Sequence, residues 1–510
     1  MKDVIFITPN NSNGIYQGLS ARYSAIETPT WSLLLAESCR SKNFDVEILD
    51  TLAENLNDDQ AFERISKSNP KLICFVIYGQ NVNAGTTNMS GAVRLAEHIK
   101  RKKINKKIAF IGSHIQALPL ETMEKEQCID IAFLNEGVYA LHNLLKLQHF
   151  SDDSLFDVKG IAFRTNNDKI IFNQAEVVVP AERMDQDLPG YAWDLLPFKN
   201  KPFDLYRSPM WHAEYIEENR SPYAAIQTSL GCQFKCNFCM INIINKNDNN
   251  EIGIASHYNK MRFWSTDLIL KEFKKLISLG VKTIKITDEM FLLNKKYYFS
   301  LCKELSKLNK NDELKMWAYS RIDTVKNPEA LEVVRSAGIK WLCLGIESAD
   351  KKVRLEVSKG KFEDVDVEKV VEQIHAADIN VMANYIYGLP GDNLESIEKT
   401  FQLSVKLNTL GWNTYAAMAL PGSQLYYDAK LKKVDLPKNY EQYSFHAFDT
   451  LPLPTENLSA GEVLKLRDQK FNEYHKNPKF LEKINKKFGS KAVNNINDML
   501  KIKLKRKIYN

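Results

Sequence analysis

Long apolar runs are missing from this chain. From Met1 to Pro9 it passes through one charged step into a short strand-like stretch, with no apolar segment long enough for a signal peptide or a membrane span. Cysteine is scarce, eight in 510 residues, and only one group is clustered. In the cytoplasmic compartment expected here, that pattern favours metal chemistry over a disulfide framework. A strong charge imbalance is absent too: a formal charge of +6, spread along the chain, gives no reason to expect nucleic acid as a partner. The exception is the end, where Lys501, Lys503, Lys505, Arg506 and Lys507 cluster and read as a solvated tail, or alternatively as a contact for an anionic substrate, RNA or a membrane surface. Low complexity is confined to Asn245–Glu251, which reads as an exposed loop.

What is present is an alternation of apolar runs and helical segments, in a chain long enough for roughly two to four folding units. Val4–Thr8, Val46–Leu49, Leu72–Ile77, Ile108–Ile111 and Ile131–Leu134 read as strands, and Trp31–Arg40 and Ala92–Lys100 carry apolar residues at helical spacing. This β-α rhythm predicts a doubly wound, Rossmann-like parallel sheet over residues 1–150. Ligands of such sheets lie beyond the carboxyl ends of the strands. The loops there are Pro9-Asn10-Asn11, Tyr78-Gly79-Gln80-Asn81, Gly112-Ser113-His114 and Asn135-Glu136-Gly137.

Residues 151–220 break the rhythm and read as a connector holding a small hairpin, Gly160–Arg164 with Lys169–Asn173. Within it Tyr206, Arg207, Trp211 and His212 either cover the mouth of the next unit or pack between domains. A second series, over residues 221–425, has candidate strands at Ala224–Ser229, Thr283–Thr287, Leu314–Tyr319, Trp341–Ile346, Asn380–Ile386 and Asn413–Met418. Six β-α units make an incomplete barrel whose chemistry belongs at the carboxyl ends of its strands. Residues 426–510 read as a helical, Lys-rich region.

After the first strand of the second series comes Ser229-Leu-Gly-Cys232-Gln-Phe-Lys-Cys236-Asn-Phe238-Cys239. Three soft thiolates in one loop can hold three irons of a four-iron, four-sulfur cluster and leave the fourth iron open. Two other readings exist. Positions i, i+4 and i+7 share a helical face, so the cysteines could be small buried residues. A structural zinc site needs a fourth ligand, for which His257 is the histidine close downstream.

Cys-x3-Cys-x2-Cys with an aromatic before the third cysteine resembles the signature of the radical S-adenosylmethionine (SAM) superfamily. The resemblance implies that SAM chelates the open iron and is cleaved by one electron to methionine and a 5′-deoxyadenosyl radical. An external donor of flavodoxin or ferredoxin type would supply that electron. Further motifs resemble the family in order: Asp288-Glu289 after the second strand, with Glu289 the preferred partner of the SAM ammonium, Arg321 for its carboxylate, Glu347 for the ribose, and Tyr385 to Gly391, including Gly388, around the adenine. Phe238 joins this SAM-binding set.

A β-α domain ahead of such a barrel resembles the cobalamin-binding subclass. Ile111-Gly112-Ser113-His114 followed by Ala117-Leu118-Pro119, and Asn135-Glu136-Gly137, resemble its loops, with Ser113 in place of a proline and Val138 in place of a second acid. The cobalamin contacts implied are Tyr78, Gly79, Gln80, Gly112, Ser113, His114, Glu136 and Gly137. Asp-x-His-x-x-Gly is missing, so cobalt is expected to lack a histidine from that motif. The implied activity is methylation of an unactivated carbon of a small-molecule substrate, by hydrogen abstraction and methyl transfer from methylcobalamin. Non-methylating cyclisation or rearrangement is an alternative. Methylthiotransferases place a second cluster in a comparable first domain, and Cys39, Cys74 and Cys128 are there, but Cys39 sits within a helical segment, Cys74 in an apolar strand and Cys128 just ahead of another strand, and none opens a polar loop. Last, the chain could be a non-enzymatic binding protein with a structural metal.

Overall fold

Two sheets, one parallel except at an antiparallel edge and one wholly parallel, organise the chain, which the computed structural model describes at all residues except 80, 251–252, 326, 359–364 and 510. The first contains β1 (Val4–Thr8), β2 (Val46–Asp50), β3 (Leu72–Ile77), β4 (Lys107–Gly112), β5 (Ile131–Phe133), β6 (Ile161–Arg164) and β7 (Ile170–Phe172), in the order β2-β1-β3-β4-β5-β6-β7. Successive residues of β1 face opposite cores: Val4 and Phe6 join one apolar cluster, Ile5 and Ile7 the other. Burial on both faces is why β3 reads as the unbroken run Leu-Ile-Cys-Phe-Val-Ile. The hairpin expected inside the connector is instead part of this sheet, because β6 runs antiparallel to β5 and gives the sheet's edge a partner.

The second sheet contains β8 (Tyr223–Ile226), β11 (Thr283–Ile286), β12 (Lys315–Arg321), β13 (Ile339–Glu347), β14 (Asn380–Tyr387) and β15 (Gly411–Ala416), all parallel, in the order β15-β14-β13-β12-β11-β8. It is the open six-stranded barrel expected. A short antiparallel pair, β9 (Ser229–Gly231) with β10 (Met261–Phe263), stands beside it.

Both ends of the barrel receive other parts of the chain. The outer edge of β8 is met by the first unit: Ala225 exchanges two hydrogen bonds with the Thr28 hydroxyl, at 2.9 and 3.2 Å. The carboxylate of Glu27 pairs with the buried Lys285 at 2.9 Å. Trp211 packs edge-on against Trp317 and Trp341, with ring centres 4.9 and 5.2 Å apart, and His212 Nε2 donates to the Lys315 carbonyl at 2.9 Å. Those partners lie at the amino ends of β12 and β13, so Trp211 and His212 plug the bottom of the barrel and do not cover its mouth. Nor do Tyr206 and Arg207 reach it. Tyr206 donates to Asp50 at 3.1 Å, and Arg207 donates to the carbonyls of Ser20, Ala21 and Ser24.

Helices Ala460–His475, Pro478–Phe488 and Ser490–Leu500 close the β15 side, where Trp412 stacks on Tyr474 at 5.2 Å. In the basic tail Lys501, Lys503, Lys505 and Lys507 are exposed, as a solvated tail requires, but Arg506 is not. Arg506 is wholly buried, forks onto Asp468 at 2.8 and 2.9 Å and donates to the Ala447 carbonyl at 3.0 Å. Among the described residues no helix is long and apolar enough to cross a membrane.

Candidate active site

The cysteine loop is built from both sides. Gly231 ends β9 with φ +87°, and a Cβ there would stand 2.1 Å from the Lys260 carbonyl oxygen, so only glycine admits this entry. Cys232 N–H donates to Asn242 Oδ1 at 2.7 Å. Asp288, in the turn after β11, accepts from Thr228 N–H, Thr228 Oγ1 and Ser229 Oγ, each at 2.6 Å, and so braces the chain just ahead of the loop. From the first unit, Asn83 accepts the Met240 N–H at 3.0 Å and directs its amide at Cys239 Sγ at 3.6 Å. Residues 232–239 form no helix, which removes the reading of three residues stacked on one helical face.

All three thiols line one cavity of about 410 Å³ at the carboxyl ends of the strands. Burial pushes Cys232 up to about 12 and Cys236 up to about 11, so as bare thiols they stay protonated until a cation compensates the thiolate charge. Among the described residues no three His, Cys, Asp or Glu side chains converge on a single ion, and His257 is exposed. A structural zinc site therefore does not fit. A four-iron cluster does, because each thiolate binds its own iron and none needs to converge. N–H groups aimed at sulfur, from Phe234 to Cys232 at 3.5 Å and from Asn83 to Cys239, suit it as well.

The same cavity receives Phe238, Glu289, Arg321 and Glu347. The ladder between β13 and β14 slips between Gly345 and Glu347, and Glu347 takes φ +65°. This bulge aims its side chain at the cavity, and the carboxylate folds so close to Gly345 that a Cβ there would be 2.4 Å from Oε1. Neither Glu289 nor Glu347 is paired within the described residues, and burial raises each to about 7. Two unpaired acids facing one pocket fit a ligand bearing an ammonium and hydroxyl groups. The Arg321 guanidinium lies 3.6 Å above the Phe234 ring, forks onto Asp323 at 2.6 Å through Nε and Nη2, and turns Nη1 to Cys236 Sγ at 3.9 Å. Gly388 does not line the cavity. Its N–H donates to Asp392 at 3.0 Å and its Cα faces Val463.

A crevice beyond the carboxyl ends of β1 and β3 opens onto this cavity, and Tyr16, Asn81 and Glu289 line both. Tyr78 and Gly79 line the crevice; Gln80 lies outside the described residues. The other residues singled out for cobalamin sit elsewhere. Ser113 donates to the Val82 carbonyl at 2.9 Å, and His114 is buried against Thr86 and edge-on to Tyr440. Gly112 backs onto the Ile77 carbonyl, and Gly137 caps the helix Val138–Lys146 at φ +82°. Glu136 is buried in an ion pair with Arg262 of β10 at 2.7 Å and ties the two units together. The crevice still fits cobalamin in outline. It lies at the ligand-binding edge of the sheet, the buried Asn81 Oδ1 has no partner, and no described residue lining it is a histidine.

Sequence reasoning missed Asn83 and the wall Tyr443–His446, which also lines the cavity. The latter lies in a stretch without periodicity, far from any motif. Cys39 and Cys74 are buried on one side of the first sheet and Cys128 on the other, so these three cannot share a cluster.

An α/β sheet whose ligand edge faces the mouth of a six-stranded barrel with three thiols in its first loop defines the class. Residues 226–404 match the Radical SAM superfamily and residues 16–145 match the B12 binding domain. The chain thus carries a radical SAM domain preceded by a B12-binding domain. It is 23% identical to an uncharacterized methyltransferase of Pyrococcus horikoshii over 89% of each chain. It is 21% identical to the anaerobic magnesium-protoporphyrin IX monomethyl ester cyclase of Cereibacter sphaeroides, over 93% of this chain and 70% of that one. Among solved structures, the radical SAM methyltransferase TsrM of Kitasatospora setae, with tryptophan substrate and a SAM analogue bound, superposes with a TM-score of 0.66 at 14% identity over 98% of each chain. The cobalamin-dependent radical enzyme OxsB superposes with a TM-score of 0.58 at 16% identity, over 85% of this chain and 55% of that one.

Proposed function

We propose that this enzyme methylates an unactivated carbon of a small molecule, using a four-iron, four-sulfur cluster, SAM and cobalamin. The observation that carries the proposal is the meeting of three thiols and two unpaired carboxylates in one cavity that is continuous with the ligand crevice of the B12-binding domain. Cys232, Cys236 and Cys239 would hold the cluster. Glu289 would take the SAM ammonium and Glu347 its ribose, with Phe238 and Arg321 beside them; Tyr78, Gly79 and Asn81 would face the cobalamin. When bound, these groups supply one-electron cleavage of SAM and a methyl group transferable to carbon. The chain's own part is to exclude water, to hold the acidic side chains toward the ligand and to fix the spacing between crevice and barrel mouth. An external flavodoxin- or ferredoxin-type donor in the cytoplasm would provide the electron.

Anaerobic reconstitution with iron, sulfide and cobalamin tests this. Methylation requires S-adenosylhomocysteine and 5′-deoxyadenosine to form together, with both lost in Cys236→Ala. Cyclisation or rearrangement, which the cyclase relatives keep as the second reading, yields 5′-deoxyadenosine without S-adenosylhomocysteine. Protein that takes up no iron would refute both.

A further inference from the structure

The cavity is chemically lopsided. On the β11–β13 side it carries Glu289, Arg321 and Glu347, the only charged side chains among its described lining residues. On the β15 side the lining is uncharged and mostly aromatic and apolar: Tyr415 from the strand, Met418 and Leu420 beyond it, Phe445 and His446 from the following segment, and Tyr16 from the first unit, with Asn413 and Ser444 as further polar members. The rings make one continuous wall. Tyr415 meets Phe445 edge-on at 5.2 Å, Phe445 leans on His446 at 4.1 Å, and His446 meets Tyr16 at 5.4 Å.

This wall is held from behind. Ser444 Oγ donates to the Ile15 carbonyl at 3.0 Å, and Gln17 Nε2 donates to the His446 carbonyl at 2.6 Å. Arg506 holds the next carbonyl, that of Ala447. The guanidinium of Arg467 lies 4.8 Å over the outer face of Phe445 and is anchored to the Thr414 carbonyl and to Asp468, so it backs the wall without lining the cavity. The His446 imidazole itself makes no hydrogen bond within the described residues, and burial together with Arg467 and Arg506 keeps it neutral.

We propose that the Tyr16–Tyr415–Phe445–His446 wall is the substrate subsite, and that it takes an uncharged, ring-bearing, largely apolar molecule that offers one hydroxyl or carbonyl to His446. An anionic substrate such as a nucleotide sugar meets no cation on this side, and desolvating its charge against aromatic rings is costly. A flat apolar ring gains both burial and ring-to-ring contact. One neutral imidazole supplies orientation, which fits a site that is mostly apolar with few polar groups. The proposal rests on the active-site assignment above.

Fluorescence titration of the reconstituted holoenzyme with three matched probes, 2-naphthol, naphthalene and 2-naphthalenesulfonate, tests it. The neutral probes bind, with 2-naphthol the tighter, and the sulfonate binds at least about tenfold more weakly than 2-naphthol. His446→Phe abolishes the preference for 2-naphthol over naphthalene, and Phe445→Ala weakens both. Sulfonate binding equal to that of 2-naphthol, or an unchanged naphthol-to-naphthalene ratio in His446→Phe, overturns the proposal. SAM cleavage measured on the same wild-type sample separates the outcomes: its absence refutes the enzyme assignment, whereas cleavage with the wrong probe order refutes only the subsite.

Discussion

Two adjacent carboxylates, Asp288 and Glu289, have opposite tasks because of the hydrogen bonds each finds. Asp288 is filled by three donors, all from the residues leading into the cysteine loop, while Glu289 faces the cavity unpaired. Asp288→Ala leaves buried donors without an acceptor and is expected to cost on the order of 3 kcal/mol, with reduced iron uptake in the same preparation. Glu289→Gln should melt like wild type and load iron normally, yet bind SAM about tenfold more weakly by equilibrium dialysis.

Single residues also set the acid limit. Burial lowers His212 from its ordinary 6.5 to about 3. A lowered folded-state value means its contribution is complete above about 6.5 and is lost as pH falls, by up to about 1.4 kcal/mol per pH unit, down to about 3. Urea midpoints should therefore fall between pH 7 and pH 5, and more steeply in wild type than in His212→Gln, whose side chain does not titrate.

At the level of elements, the join between the two sheets depends on β10. Its Arg262 reaches Glu136 after β5, the Val179 carbonyl in the connector and Asn245 Oδ1 beyond the cysteine loop. Glu136 also accepts the Val179 N–H at 2.5 Å. Removing one member leaves a buried charge unmatched. Glu136→Gln is expected to destabilise by about 3–5 kcal/mol, whereas adding Arg262→Met should recover part of that loss, a non-additivity that chemical denaturation of the four proteins of the cycle reads directly. If the two single effects simply sum, the pair is not the coupling between units.

Over the whole molecule, the last residues close a circuit that begins near the first. Gln17 exchanges hydrogen bonds with the Lys505 backbone, the Lys507 N–H donates to the Phe448 carbonyl at 2.8 Å, and Tyr509 donates to Asp468 at 2.6 Å. Truncation after Leu500 should therefore act at a distance. Hydrogen exchange of residues 443–448 is expected to speed up at least tenfold while the strands of both sheets keep their protection. Uniform exchange across the molecule would assign the tail to global stability instead.

Local patterns were sufficient for much of this protein. The apolar runs located the parallel strands of both sheets within a few residues, because a strand buried on both faces must be continuously apolar. The cysteine spacing and the acids at the strand ends were legible because one loop or one strand terminus supplies each. The sequence by itself thus determined two β-α units and the side chains at the barrel mouth. Only the tertiary structure decided which of those side chains face the cavity, since that depends on donors brought from elsewhere: Thr228 and Ser229 fill Asp288, Asp323 occupies two edges of Arg321, and Arg262 draws Glu136 out of the crevice and into the joint. The aromatic wall and the buried Arg506 were invisible for the same reason. Tyr16 stands roughly four hundred residues before Tyr415 and His446, and no periodicity records a contact that the chain makes only through its tertiary fold.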